Sequence, residues 1–145
     1  MIVNDVMSTK VCVIQPGQPI REAARLMAEN DVGALPVAEN DRLVGMVTDR
    51  DIAVRAVAAG LGPDTPVRDV MSKEVLYCFD DEDVDHVARN MGDKKVRRLP
   101  VMDRGKRLVG IVSIGDLALT DRLSVTGSAV AEISEPGGAH SQRAH

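Results

Sequence analysis

Val3-Asn-Asp-Val-Met-Ser8 recurs as Val67-Arg-Asp-Val-Met-Ser72, a displacement of 64 residues. Leu35-Pro36-Val37 recurs as Leu99-Pro100-Val101 at the same displacement. Arg42-Leu-Val-Gly-Met-Val47 recurs as Arg107-Leu-Val-Gly-Ile-Val112 at 65, so the second copy has gained one residue near Gly105. A chain that repeats itself once predicts one fold unit used twice, its copies related by an approximate two-fold axis. A lone copy of about 60 residues buries too little apolar surface to be more than marginally stable, so the copies are expected to fold as a pair. Clefts between such halves are natural places for ligands.

The aromatic residues are Tyr77 and Phe79 alone, so the core must be built from Val, Leu, Ile, Ala and Met. That scarcity argues against the stacking platforms of single-strand nucleic-acid binders. A net charge of −4 and a pI near 5.3 likewise argue against a nucleic-acid footprint. No apolar run approaches the length that crosses a bilayer. The N-terminus lacks the basic and apolar regions of a signal peptide, and a cytoplasmic protein is expected. Cys12 and Cys78 stand at roughly equivalent places in the two copies. Buried free thiols are the expectation for them, with a disulfide or a metal pair as the alternative.

Each copy reads as strand, helix, strand, strand, helix, an α/β (α+β) pattern. In the first, Val11–Ile14 is a β-branched run and Pro16-Gly17 turns the chain. Pro19 fits the first turn of a helix, and Ile20, Ala23, Ala24, Met27 and Ala28 share one helical face. Ala34–Ala38 and Leu43–Val47 flank a stretch of hairpin composition. Thr48 caps a helix predicted to run to about Ala59, with Gly60 ending it. In the second copy the strand falls near Val75–Cys78 and the helix near Glu82–Met91. Its hairpin falls near Leu99–Val112, and its last helix starts near Ile114. The expected organisation is repeat 1 at 1–60, a linker at 61–66, repeat 2 at 67–124, and a short helix and loose tail at 125–145. The short helix is expected within Ser128–Ser134.

Two matched turns carry the chemistry. Gly45-Met-Val-Thr48-Asp-Arg-Asp51 and Gly110-Ile-Val-Ser113-Ile-Gly-Asp116 each place a hydroxyl three residues before an aspartate, where a strand gives way to a helix. Free N–H groups at such a place attract an anion. A carboxylate one turn in can accept two hydrogen bonds from a cis-diol such as ribose, each worth roughly 1.5–3 kcal/mol. The same spacing is close to a helix capping box. Capping alone and ligand binding both remain open, and the duplication raises the second. Arg97-Arg98 stands where the first copy has Gly33-Ala34. This pair suits bidentate phosphate binding, or else belongs to a solvated basic cluster with Lys94 and Lys95. The acidic run Asp80–Asp83 with Asp85 and His86 lacks the ligand spacing of a calcium loop and reads as helix-end charge. No catalytic or metal motif is present, so neither an enzyme nor a metal site is expected.

The order of these motifs and their duplication, over roughly residues 3–123, resembles a pair of cystathionine beta-synthase (CBS) domains, or Bateman module. The resemblance implies two β-α-β-β-α units packed around a pseudo-two-fold axis, modules that pair into disk-like homodimers, and clefts that take AMP, ADP, ATP or S-adenosylmethionine. Carried over, it sets Asp51 on the ribose and Thr48 near phosphate in one cleft, with the adenine against Val75, Leu76 and Tyr77. In the other cleft Asp116 and Ser113 take those roles beside Val11, Cys12 and Val13. Arg97, with Arg98 beside it, lies where a basic residue often meets phosphate. Gly33 in place of Arg97, and Gly115 in place of Arg50, favour the Asp51 cleft for a charged nucleotide. The function implied is a regulatory sensor acting through a protein partner or an oligomer. The alternative is a structural or interaction protein with no small-molecule ligand.

Overall fold

Residues 1–117 and Ile133 are described by the structure, a computed structural model. Apart from Ile133, which is helical, the expected tail and its short helix lie outside the described residues. In chain order the elements are α1 (Ile20–Asn30), β1 (Ala34–Glu39), β2 (Arg42–Thr48), α2 (Asp49–Asp51), β3 (Cys78–Phe79), α3 (Val84–Lys94), β4 (Arg98–Met102), β5 (Leu108–Ser113) and α4 (Ile114–Leu117). A single 3-10 turn opens each copy, at Val3–Asp5 and Val67–Asp69. The mixture of helices and strands is the α+β class read from the sequence.

The two copies repeat each other in detail. α1 and α3 both end on a left-handed residue that is not glycine, Asp31 (φ 52°) and Lys95 (φ 56°). Each sends its N–H back to the preceding turn, Asp31 to the Met27 carbonyl and Lys95 to those of Met91 and Gly92. β1 pairs antiparallel with β2, and β4 with β5, with a register shift at the equivalent steps Val37/Ala38 and Val101/Met102. The first hairpin turns through Asn40 and Asp41, both at positive φ, the geometry that matches the right-handed twist of paired strands. The second takes the extra residue into a longer turn. Asp103 donates its N–H to the Arg107 carbonyl at 2.9 Å, and its Oδ1 accepts from the Arg107 N–H at 2.9 Å.

Some elements depart from the sequence reading. The expected strand Val11–Ile14 is reduced to one parallel bridge, Ile14 to Val37, and its counterpart β3 pairs parallel with β4 over Cys78 and Phe79. Ile14 donates its N–H to the Pro36 carbonyl at 3.1 Å and accepts from the Ala38 N–H at 2.9 Å, and Pro16 and Gly17 then turn the chain away. Pro19 is the N-cap itself, with extended backbone, and the helix begins one residue later. The helix after Thr48 holds α geometry only through Asp51 and then widens to a π-helix over Ile52–Val57. Ala58 and Leu61 reach back five residues, to the carbonyls of Ala53 and Ala56. Gly60, at φ 78°, ends the segment as expected.

The chain divides into two compact units that do not follow its linear order. Unit 1 joins Met1–Val11 to the chain from Leu76 onward, and unit 2 is Cys12–Val75. In unit 1, Val3 is fully buried with Val84, Val87, Met91, Val101 and Val112. In unit 2, Val67 and Val70 are fully buried with Ile14, Leu35, Val37 and Val47. The duplicated Val-x-Asp-Val-Met-Ser segment thus plugs the core built by the other copy. It is held by paired backbone hydrogen bonds, Ser72 with Met46 at 2.8 and 2.9 Å and Ser8 with Ile111 at 2.9 Å both ways. The close approach explains two glycines. A Cβ on Gly45 would lie 2.7 Å from the Met71 sulfur and 2.8 Å from the Ser72 carbonyl oxygen; on Gly110 it would meet Met7 and Ser8 at the same distances.

Candidate functional site

In unit 2 the strand β2 delivers Thr48 to the start of α2. Its Oγ1 accepts from the Asp51 N–H at 3.0 Å, and its own N–H donates to Asp51 Oδ2 at 2.9 Å. This is a complete capping box, so Thr48 and Asp51 are fixed in orientation before any ligand arrives. The Thr48 hydroxyl, having accepted, has its own proton to donate. Asp51 Oδ1 is 3.7 Å from Arg55 Nε, and the Asp51 side chain is 16% exposed. One carboxylate oxygen therefore serves the backbone, and the other faces a neighbouring cation in a half-buried setting.

Unit 1 repeats the arrangement. Ser113 donates its N–H to Asp116 Oδ2 at 2.8 Å, and its Oγ accepts from the Asp116 N–H at 3.1 Å. Ile114 donates its N–H to the Arg97 carbonyl at 2.9 Å, and Arg98 pairs with Ser113 in the ladder. Arg97 and Arg98 are exposed. Leu76 and Tyr77, 41% and 46% exposed, lead into β3. The Tyr77 ring meets Phe79 edge-on, with centroids 5.5 Å apart. Arg104 lies 4.0 Å over the Phe79 ring and grips both oxygens of Asp81 at 2.7 and 2.8 Å. The sequence reading missed this cluster, because Asp81 and Arg104 meet only once the parallel β3–β4 pair has formed.

Of the residues singled out from sequence, unit 2 holds Cys12, Val13, Thr48, Asp51 and Val75. Unit 1 holds Val11, Leu76, Tyr77, Arg97, Arg98, Ser113 and Asp116. Both cysteines are free thiols. Burial, with Glu29 nearby, pushes the half-buried Cys12 thiol up, and Asn30 Nδ2 stands 3.4 Å from its sulfur. Burial, with Glu82 and Asp80 nearby, pushes the Cys78 thiol up to about 12. The acidic run has structural roles. Asp83 caps α3 by accepting from the Asp85 N–H at 3.1 Å, and Glu82 accepts from the Phe79 N–H at 2.9 Å. His86 is exposed, 3.5 Å from Glu82 Oε2. Among the described residues no cluster of three or more His, Cys, Asp or Glu is placed to hold a metal ion. No described helix is long and apolar enough to cross a membrane.

Comparison with known proteins agrees with this duplicated geometry. The CBS domain family model matches residues 3–57 and again 67–120. The CBS domain-containing protein YhcV of Bacillus subtilis is 44% identical over 133 residues, covering 91% of this chain and 94% of its own. Among solved structures, Hypoxic Response Protein I with two coordinated zinc ions superposes with a TM-score of 0.73 at 36% identity, covering 81% of this chain and 97% of its own. The CBS domain pair of MJ0100, in complex with 5′-methylthioadenosine and S-adenosyl-L-methionine, gives 0.70 at 31% identity over 81% of this chain and 93% of its own. CBSX2 in complex with AMP gives 0.71 at 29% identity over 81% and 93%. Two family matches that together span most of the chain, on two copies that each carry a capping box and an antiparallel hairpin, place this protein in the CBS domain family as a tandem pair.

Proposed function

We propose that this chain is a regulatory module that binds an adenine nucleotide or a related adenosyl compound, and passes the binding state to a protein partner or to a second copy of itself. The observation that carries the reading is the duplicated turn. Thr48 with Asp51, and Ser113 with Asp116, present an oriented hydroxyl and a half-buried carboxylate at matched positions. In this reading each aspartate takes the ribose hydroxyls and each hydroxyl residue lies near the 5′ substituent. Val11–Val13 and Val75–Tyr77 supply backbone and apolar surface for the base. Solved CBS relatives with AMP, and with S-adenosylmethionine and 5′-methylthioadenosine, support the ligand class. For binding to act as a signal, the ligand must favour one arrangement of the module over another.

A second reading has its own support. Both aspartates are engaged in capping boxes, which is a sufficient structural role for them. An interaction protein without a small-molecule ligand fits that observation. Thermal unfolding of the purified chain with AMP, ADP, ATP and S-adenosylmethionine separates the two. A ligand present at 100 times its Kd stabilises by about 2.7 kcal/mol. The sensor reading expects at least one of these compounds to raise the Tm, and Asp51→Ala or Arg97→Ala to reduce the rise. No shift with any of them at millimolar concentration leaves the interaction reading in possession.

A further inference from the structure

The two turns hold the same geometry but differ in charge. In each unit the residue after the capping hydroxyl donates its N–H to a carbonyl ahead of the first hairpin strand, Asp49 to Gly33 and Ile114 to Arg97, both at 2.9 Å. Positions 33 and 97 are therefore the same place in the two units. The ladder pairs Ala34–Thr48 and Arg98–Ser113 are likewise equivalent. Directly paired residues of an antiparallel ladder carry their side chains on one face, with Cβ atoms about 4.5–5.5 Å apart. The Arg98 side chain thus springs from beside the Ser113 hydroxyl, whereas Thr48 has only the Ala34 methyl across from it.

The contrast extends around both turns. The left-handed residue that ends the preceding helix is Lys95 in unit 1 and Asp31 in unit 2, and Lys94 stands where unit 2 has Asn30. Where unit 1 has Arg97, unit 2 has a glycine whose space is bordered by a carboxylate. A Cβ on Gly33 would lie 3.1 Å from Asp49 Oδ2. Unit 1 has the uncharged Ile114 and Gly115 where unit 2 has Asp49 and Arg50. The unit 2 turn has two cations of its own: Arg50, exposed as Arg97 and Arg98 are, and Arg55, which lies against Asp51 and the Val70 and Met71 carbonyls.

We propose that the two turns sort adenosyl ligands by the charge of the 5′ substituent. The Ser113–Asp116 turn takes a ribonucleotide with an anionic phosphate tail, held by Arg97 and Arg98. The Thr48–Asp51 turn takes an adenosine derivative whose 5′ group is uncharged or cationic, because Asp49 and Asp31 repel a phosphate. The inference rests on the adenosyl reading above and reverses the sequence expectation that the Asp51 side suits a charged nucleotide. Its physical basis is the pair of arginines at 97 and 98 where unit 2 has Gly33 and Ala34, with the Asp49 carboxylate beside Gly33, and guanidinium groups bind phosphate oxygens in pairs.

Calorimetric titration of the full chain with ADP and with uncharged 5′-methylthioadenosine tests it. Asp51→Ala leaves the Ser113–Asp116 turn to report alone, and Asp116→Ala leaves the other, each variant being checked for an intact melting transition. In Asp51→Ala, ADP is expected to bind at least tenfold more tightly than 5′-methylthioadenosine, and to weaken as salt rises from about 0.05 to about 0.5 M. In Asp116→Ala the preference reverses. Exposed-residue variants test the same point with both carboxylates in place. Arg97→Ala with Arg98→Ala weakens ADP at least tenfold and leaves 5′-methylthioadenosine within twofold, and Asp49→Asn brings ADP to the Thr48–Asp51 turn. Equal ADP to 5′-methylthioadenosine ratios at the two turns, or equal weakening of both ligands by the arginine variants, overturn the sorting and leave the adenosyl reading standing. No binding of either compound to the unaltered chain overturns both.

Discussion

At the scale of single residues, the firmest constraints are steric. Gly45 and Gly110 sit under the methionine and serine of the duplicated segment, where a Cβ would be less than 3 Å from a backbone oxygen that hydrogen bonding holds in place. Gly45→Ala and Gly110→Ala are each expected to cost about 2 kcal/mol, the scale of overpacking in a tight core, as read from urea unfolding. Cys78 offers a pH test. Its folded thiol titrates at about 12 because it is buried, whereas an ordinary thiol titrates near 9.0. Between those values the unfolded chain loses a proton that the folded chain keeps, so stability falls as pH rises from about 9 to about 12, with no effect below. The difference in urea midpoint between wild type and Cys78→Ala should therefore shrink from pH about 8 to pH about 10.5. The sequence showed that both cysteines were candidates for free thiols. It could not show that one is buried and the other half-exposed, because that depends on which face each segment turns inward.

At the scale of elements, the Thr/Ser-x-x-Asp turns were legible because a capping box is a local arrangement fixed by spacing alone. The hairpins were legible for the same reason, and the extra residue of the second copy fell in its turn. Thr48→Ala and Ser113→Ala are each expected to cost about 1 kcal/mol, measured by denaturant unfolding without ligand. A much smaller loss would show that the hydroxyls contribute little to capping. The helix after Thr48 was less legible. Its composition reads as an ordinary helix, but it widens after Asp51, as Arg55 reaches carbonyls at Val70 and Met71 that lie far along the chain. The first strand of each copy was also over-read, since a short β-branched run says nothing of how much ladder a partner will offer.

At the scale of the whole molecule, the repeats of the sequence and the units of the structure are cut at different places. Val3 is buried in the core of the second copy and Val67 in the core of the first. Val3→Ala is therefore expected to lower hydrogen-exchange protection across α3, β4 and β5. Val67→Ala should lower it across α1, β1 and β2, each at a cost of about 2 kcal/mol. Loss of protection in the sequence-adjacent copy instead would contradict the observed exchange of segments.

By itself the sequence determined that one unit is used twice, that each copy carries a hairpin and a capped turn with an aspartate, and that the core is aliphatic. These follow from local spacing and composition, which need no knowledge of distant partners. Only the tertiary structure decided which copy's core each Val-x-Asp-Val-Met-Ser segment completes, and that Arg97 and Arg98 stand beside Ser113 while Asp49 borders Gly33. Those are facts of strand register and chain crossing, set by long-range burial and backbone pairing that spacing along the chain does not encode.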